Sequence, residues 1–479
     1  MYSFSIKCTT LPCKLTISLY RQCINLIEKK LTSCTFKALL LIITSIQISH
    51  AETSRLIPAT PIQIYDIAVK NDPALGAATS AHLISQEETR QVYGALQPEI
   101  NFTAELARNR EDVETDGIGV AGLTYFDSNN VQLKVKQPVY RKDIYTKIDI
   151  AKAESIVADT VFKIEQQTLI IRVIKAYFSV LSADDNLKFA KAEKQTTYQQ
   201  LNNIKRKYKV GKSTPADLQK SQASYYLSVA QTLTAEDIHQ DALEGLTQLT
   251  AMKYLTLAKL SKSYTPNSLK PEKLEYWVNL AESNNLKLQA SRHYISTLKY
   301  KIDEQKSNHY PTLDLVAKYR LEDTGGRFGN SITNDKSIGF ELAIPIYKGG
   351  QVRSKVKTAM HKLNEAKFNL LKIRREVIRE TRKSFRAIST SLNRIRALKQ
   401  AVISSESALA LIKKGFKAGI RTNADVFDAK REIFKAKRDY LADKYSYTIN
   451  YLQLKNLTGS LNRDELLNIN KWFTIPKTL

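Results

Sequence analysis

The residues of this chain able to handle charge in a fixed geometry cluster in one stretch, Phe416-Lys417-Ala418-Gly419-Ile420-Arg421-Thr422-Asn423-Ala424-Asp425-Val426-Phe427-Asp428. An earlier echo reads Tyr208-Lys209-Val210-Gly211-Lys212-Ser213-Thr214-Pro215-Ala216-Asp217-Leu218. Each has an aromatic residue, then Gly, Thr and Asp at steps of three, and Gly211/Gly419 and Asp217/Asp425 share one offset of 208 residues. Enzymatic alternatives are poorly served. The six histidines (His50, His82, His239, His293, His309, His361) are scattered without metal-ligand spacing, and no Gly-x-Ser-x-Gly elbow or phosphate loop occurs. No catalytic residue, metal or cofactor is therefore expected.

The two stretches have the chemistry of a tight reversal between helices. Gly211 and Gly419 can take the left-handed conformation that ends a helix. Thr214 and Thr422 cap the next one, and Asp217 and Asp425 fall at N3, where a carboxylate meets free backbone N–H groups. Pro215 sits at N1, the helical position that favours it. Capping alone could account for both aspartates. Asp428 has no such duty, and its counterpart in the earlier stretch is Lys220.

The echo belongs to a duplication of nearly the whole chain. Tyr65-Asp66-Ile67-Ala68 matches Val278-Asn279-Leu280-Ala281, Pro98 matches Pro311, and Pro138-Val139-Tyr140-Arg141 matches Pro345-Ile346-Tyr347-Lys348. Phe178 then pairs with Phe385, and Leu249-Thr250 with Leu457-Thr458. The expected organisation is a first repeat over 52–255, a linker over 256–273, a second repeat over 274–459 and a tail over 460–479.

Ahead of the repeats, Lys29, Lys30 and Lys37 precede an apolar run from Ala38 to Ile48 and then Ser49-His50-Ala51. This is the layout of a signal peptide over 1–51, and the unusually long stretch ahead of the apolar run leaves open a start codon downstream of Met1. All four cysteines (Cys8, Cys13, Cys23, Cys34) lie within it, leaving no disulfide framework for the exported part. The chain of 479 residues carries a formal charge of +26. The excess is concentrated beyond Ile346, where Arg374, Arg375, Arg379, Arg382, Lys383 and Arg386 stand among few acids. Such a helix could bind nucleic acid, but an export signal argues against it. A solvated face is the plainer reading, and a tunnel-facing one would favour anionic cargo.

Periodicity supplies the elements that hold the turns. Strict alternation marks strands near 98–108, 130–137, 311–321 and 337–344, the second ending at Pro138. Between the prolines, Val139–Val210 and Gln351–Lys414 contain neither Pro nor Gly. Their apolar residues recur every seventh position: Ile150, Val157, Ile164, Ile171 and Phe178 in one, and Ile388, Ile395, Val402, Leu409 and Phe416 in the other. About 70 helical residues span roughly 105 Å, far more than a globular core needs. The long helices meet near 211 and 419.

Four strands of about 9–11 residues with one apolar face match an outer-membrane barrel in length. Four cannot close a barrel, so several chains would have to share one; a soluble four-stranded sheet is the alternative. Taken together, the duplicated strand–loop–strand and long-helix halves, the two Pro-(Val/Ile)-Tyr junctions and the Gly-Ile-Arg-Thr-x-x-Asp-Val turn resemble the TolC family of outer-membrane efflux proteins over roughly residues 60–460. The resemblance implies a mainly α chain with a four-stranded membrane β-barrel segment. Trimerisation would complete a 12-stranded barrel in outer-membrane lipid above a periplasmic α-helical tunnel of long antiparallel coiled-coil helices.

It further implies docking to a periplasmic adaptor (membrane fusion) protein and an inner-membrane RND or ABC transporter, with drugs, toxins or secreted proteins passing outward. In the family's pattern Asp425 and Asp428 line the periplasmic mouth as carboxylate rings. Closure is held by a link corresponding to Arg421 with Asp217, and by a tyrosine hydroxyl where this chain has Phe416. A Thr expected before Asp217 is Ala216. Both departures remove hydrogen bonds from the latch. An exported structural coiled-coil protein remains the alternative, although it leaves the alternating strands without a purpose.

Overall fold

A computed structural model describes residues 59–474 apart from 115, 117–121, 255, 262 and 327–328. The leader expected over 1–51, with its cysteines, lies outside the described residues. Each half of the remainder begins with a short and a medium helix. In the first half these are α1 (Pro61–Asn71) and α2 (Pro73–Gly94), each with Pro at its first position. Thr60 and Gln63 form a capping box on α1, and Asp72 caps α2 by accepting from the Leu75 amide at 2.9 Å.

The chain then extends as β1 (Glu99–Val113) and β2 (Gly122–Arg141) before entering the helix pair α3 (Lys142–Lys209) and α4 (Pro215–Thr250). A two-residue strand β3 (Lys259–Leu260) separates the halves. The second half repeats the order with α5 (Leu274–Asn284), α6 (Leu286–Ser307), β4 (Thr312–Thr324), β5 (Ser331–Ala343), α7 (Gln351–Lys417) and α8 (Asn423–Leu457). It closes with α9 (Arg463–Asn470) and β6 (Phe473–Thr474).

The four long strands form one antiparallel sheet in the order β1-β2-β4-β5, so β2 and β4 join the two halves and β1 and β5 are open edges. The strands run further than the apolar alternation suggests, because polar pairs such as Arg108 with Asp127 and Glu322 with Asn130 continue the ladder. Pro138 also does not end β2. The register shifts between Pro138 and Tyr140, and this bulge absorbs the missing donor before pairing resumes at Tyr140 with Leu313. In the second half Pro345 lies beyond the strand, and Gly349 and Gly350, both at positive φ, turn the chain into α7.

Helix α3 has 68 residues and α7 has 67, each about 100 Å long. The return helices α4 and α8 flank only the half nearest the turns; α2 and α6 flank the half nearest the sheet. Where the two sets meet, the sequence-predicted linker and tail come together. β3 pairs with β6, Leu260 opposite Phe473. Around them pack Ile64, Leu169, Ile174, Tyr177, Phe178, Leu246, Leu452, Leu466 and Ile469, all nearly inaccessible. A second cluster in the other half joins Leu269, Trp277, Ile388, Ile395, Tyr447 and Leu454. The linker residues Leu257 and Leu260 serve the first core and Leu269 the second.

Burial of the heptad seam fades towards the turns. In α7, Ile388 and Ile395 are inaccessible, Val402 and Leu409 are half-buried, and Phe416 is 44% exposed. Tyr208, Val210, Tyr226 and Leu227 are exposed on the other hairpin. One chain cannot cover its own seam at this end.

Candidate functional site: the two helix turns

Both turns close in the same way. At the first, Lys212 N donates to Lys207 O at 2.8 Å and Gly211 takes φ +72°. At the second, Ile420 N donates to Gly415 O at 2.9 Å and Gly419 takes φ +76°. These six-to-one bonds with a left-handed Gly are Schellman caps, which satisfy carbonyls the helix end leaves free.

The next helix starts at once. Thr214 Oγ1 accepts from Asp217 N at 3.1 Å, while Asp217 Oδ2 accepts from Thr214 N at 3.2 Å and from its hydroxyl at 2.7 Å. Ser213 Oγ reaches the same oxygen at 3.4 Å. In the second turn Thr422 Oγ1 accepts from Asp425 N at 3.2 Å, and Asp425 Oδ2 accepts from Thr422 N at 2.8 Å and its hydroxyl at 3.0 Å. The Thr214 bonds hold the Asp217 carboxyl below the usual carboxylate range. Asp425 is lowered by the Thr422 backbone and hydroxyl bonds, with the Arg421 charge adding to them. Both aspartates therefore do cap, as their spacing indicates. Each uses only Oδ2; among the described residues Oδ1 has no partner.

Asp428, one helical turn past Asp425, is exposed and makes no hydrogen bond or ion pair among the described residues. Its neighbours Val426 and Phe427 are buried, and Lys430 lies over the Phe427 ring at 5.8 Å. Residues three apart share a helix face, so Asp425 and Asp428 stand together. Arg421 and Asp217 are not brought together within the chain: neither a hydrogen bond nor an ion pair links them. The stem of Arg421 instead crosses Gly415, where a Cβ would come within 2.9 Å of its Cγ. Gly415 and Ser213 are the turn residues that motif spacing did not single out. The Gly four places before Gly419 was a visible signal.

The two turns lie at one end of the molecule. Arg438 of α8 stacks on the Phe189 ring of α3 at 5.0 Å, and Tyr445 of α8 donates to Asp185 of α3 at 2.8 Å. From that shared level each hairpin continues for about 30 Å to its turn. Between them a groove of about 590 Å³ is lined by Thr196, Gln199, Leu409, Lys413, Ile433 and Phe434.

The basic residues of α7 are mostly solvated, and several tie the helix to its neighbours. Arg374 binds Glu282 at 3.0 Å, Arg382 lies 3.6 Å from Glu275, and Arg394 binds Asp443 at 3.0 Å. No group of three His, Cys, Asp or Glu among the described residues could hold a metal ion. No described helix is long and apolar enough to cross a membrane.

A sheet with an apolar face and two open edges, continuous with helices about 100 Å long, defines a subunit of an α-helical tunnel topped by a β-barrel. The chain belongs to the outer membrane efflux protein family, which matches residues 64–252 and 277–460. It is 32% identical to the outer membrane protein TolC of Vibrio cholerae over 422 residues, covering 87% of this chain and 94% of that protein. It is 26% identical to the alkaline protease secretion protein AprF of Pseudomonas aeruginosa, covering 84% of this chain and 85% of the other. Among solved structures, the CmeC outer membrane channel of Campylobacter jejuni superposes with a TM-score of 0.69 at 16% identity, covering 88% of this chain and 94% of that one. The protein is thus an export channel of the Gram-negative outer membrane with a large periplasmic portion. Members of the family form trimeric outer membrane channels, an arrangement in which three such four-stranded sheets would supply 12 strands.

Proposed function

We propose that the turn at Gly419 is the periplasmic mouth of this channel and that Asp425 and Asp428 form its gate. The observation that carries the reading is an Asp428 without a partner among the described residues, beside an Asp425 that keeps one carboxylate oxygen free of them, on a turn whose seam a single chain leaves uncovered. In a trimer these groups repeat around the axis as carboxylate rings. Gly211, Gly419, Thr214 and Thr422 act as the hinges. Arg421 and Asp217 latch neighbouring hairpins between copies, since they do not meet within one. Phe416 brings no hydroxyl to this latch and Ala216 none beside Asp217, so closure rests on charge more than on neutral hydrogen bonds. In this reading a leader over 1–51 is removed, and the repeats 52–255 and 274–459 alternate around the tunnel wall.

The channel works as a homotrimer with a periplasmic adaptor protein and an inner-membrane RND or ABC transporter, exporting drugs, toxins or secreted proteins. The relatives' names favour this division of labour, because AprF serves protease secretion. The test is complementation of a Gram-negative strain lacking its own outer-membrane export channel. The wild-type chain should restore drug resistance only when an adaptor and pump are present. Arg421→Ala with Asp217→Ala should keep export and admit large antibiotics from outside. Properly assembled trimers that restore nothing with any adaptor would overturn the partnership, and a double variant no leakier than wild type would overturn the latch.

A further inference from the structure

The sheet register places one row of the polar face in an unusual composition. Asn101 stands opposite Lys134, Lys134 opposite Lys318, and Lys318 opposite Ser337. Directly opposed residues share a face, with Cβ atoms about 4.5–5.5 Å apart, and like charges so placed repel. The row therefore reads amide, ammonium, ammonium, hydroxyl, with no carboxylate.

The adjacent rows on the same face differ. One contains Glu99 and Lys136, and the other contains Arg320 opposite Asp335. Lys136 is 2.9 Å from the buried Asp314, which Arg141 also reaches at 3.2 Å, and Arg320 is 3.3 Å from Glu322. Lys134 and Lys318 have no hydrogen bond or ion pair among the described residues. The two strand-paired lysines are left unneutralised where their neighbours are not.

The opposite face settles which way they point. Ile100, Val135, Ala317 and Ile338 form the next row on that face, with Ile100 66% and Ile338 76% exposed. In a membrane barrel such a face meets lipid and the other faces the lumen. We infer that Lys134 and Lys318, with Ser337, form an anion-binding ring inside the barrel, which engages polyanions and anionic cargo segments on their way out. The inference rests on the trimeric barrel and is independent of the gate.

Its chemistry is that of two adjacent ammonium groups without a carboxylate partner; the Asn101 amide at the edge of the row already donates to Glu99 Oε1 at 3.0 Å. Three copies would supply six ammonium groups together with the Ser337 hydroxyls. A lumen lined by one sign of charge raises the local concentration of its counter-ion by about tenfold or more. The ring lies in the sheet, nearer the helix-joined than the loop-joined ends of β1 and β2, and is opposite in sign to the aspartates of the distant turn.

The experiment is single-channel recording of the purified full chain in a planar bilayer, with inorganic tripolyphosphate added on the barrel side. Wild type should show concentration-dependent block, lost in 1 M KCl, where screening falls to about 3 Å. Lys134→Gln/Lys318→Gln should need about tenfold or more tripolyphosphate, and Lys134→Arg/Lys318→Arg should block like wild type. Calorimetric titration of tripolyphosphate into the detergent-solubilised trimer reads the same ring without a bilayer. A conducting wild type that tripolyphosphate does not block, or a Gln variant blocked at the wild-type concentration, would overturn the ring. A trimer that binds tripolyphosphate but never conducts would overturn the channel reading and leave the ring standing.

Discussion

Removing a single hydroxyl, Tyr177→Phe, should loosen the belt where linker and tail meet the long helix. Tyr177 is inaccessible, and its OH lies 2.6 Å from Ala258 O and 3.0 Å from Ala59 O. Burial pushes the phenol far above its ordinary pKa, so it stays a neutral donor. Ala59 O keeps a second donor, the Ala258 amide at 3.0 Å. Ala258 O loses the donor that holds it. The ring itself remains, edge-on to Phe178 at 6.0 Å and Phe473 at 5.5 Å. The cost is therefore that of one buried acceptor left unsatisfied, about 1–3 kcal/mol, rather than the about 3–5 kcal/mol of truncating an aromatic ring. In hydrogen exchange read by mass spectrometry, local opening should become about 5- to 150-fold more frequent. The acceleration should be confined to peptides covering 59–64 and 256–261. Unchanged exchange there, or acceleration spread along all of α3, would refute the reasoning.

Three further outcomes follow from the same geometry. Arg172 holds the buried Asp72 through two bonds of 3.0 and 2.9 Å; Arg172→Ala strands that carboxylate, and thermal unfolding should register a loss of about 3–5 kcal/mol, whereas Arg90→Ala on the surface should lose less than about 1 kcal/mol. Gly459 takes φ +66° and a Cβ there would come within 2.2 Å of Asn284 O, so Gly459→Ala should cost more than the roughly 1–2 kcal/mol of left-handed strain alone, read as a lower melting temperature than Gly326→Ala, whose Cβ would meet open space. The carboxyls of Asp217 and Asp425 are depressed in the folded protein, so their capping contribution is present above the unfolded pKa of about 3.9 and is lost as pH falls through the lower folded value. Intrinsic-rate-corrected exchange of the two turns should accelerate below about pH 4, and Asp217→Asn/Asp425→Asn should abolish that pH step.

Much of this structure was legible because local chemistry and global fold agree. The Gly-x-x-Thr-x-x-Asp spacing specifies its turn through backbone donors a few residues away, and the structure forms those bonds as the spacing requires. The long helices were legible from seven-residue periodicity, which needs no knowledge of the partner helix. The belt was not. Leu257, Leu260 and Phe473 lie in stretches without periodicity, and β3 pairs with β6 across more than 200 residues of intervening chain. Lys444 is a further example: it is 2% exposed, donates to Tyr264 O at 2.7 Å and sits over the Tyr440 ring at 4.7 Å. Burial lowers its pKa. Nothing in a helical heptad distinguishes such a lysine from a solvated one. The strand ends escaped for a related reason, since polar pairs extend a ladder without marking either face. Arg421 and Asp217, the proposed latch, do not meet within one chain because they sit on different hairpins.

The central claim is a conduit gated by carboxylates at the Gly419 turn, and single-channel conductance of the purified trimer tests it most directly. Wild type should show a small, cation-preferring conductance, and Asp425→Ala/Asp428→Ala should enlarge it and weaken the cation preference. A correctly assembled trimer whose conductance and ion preference are the same with and without the two aspartates would contradict the gate and return both residues to local structure.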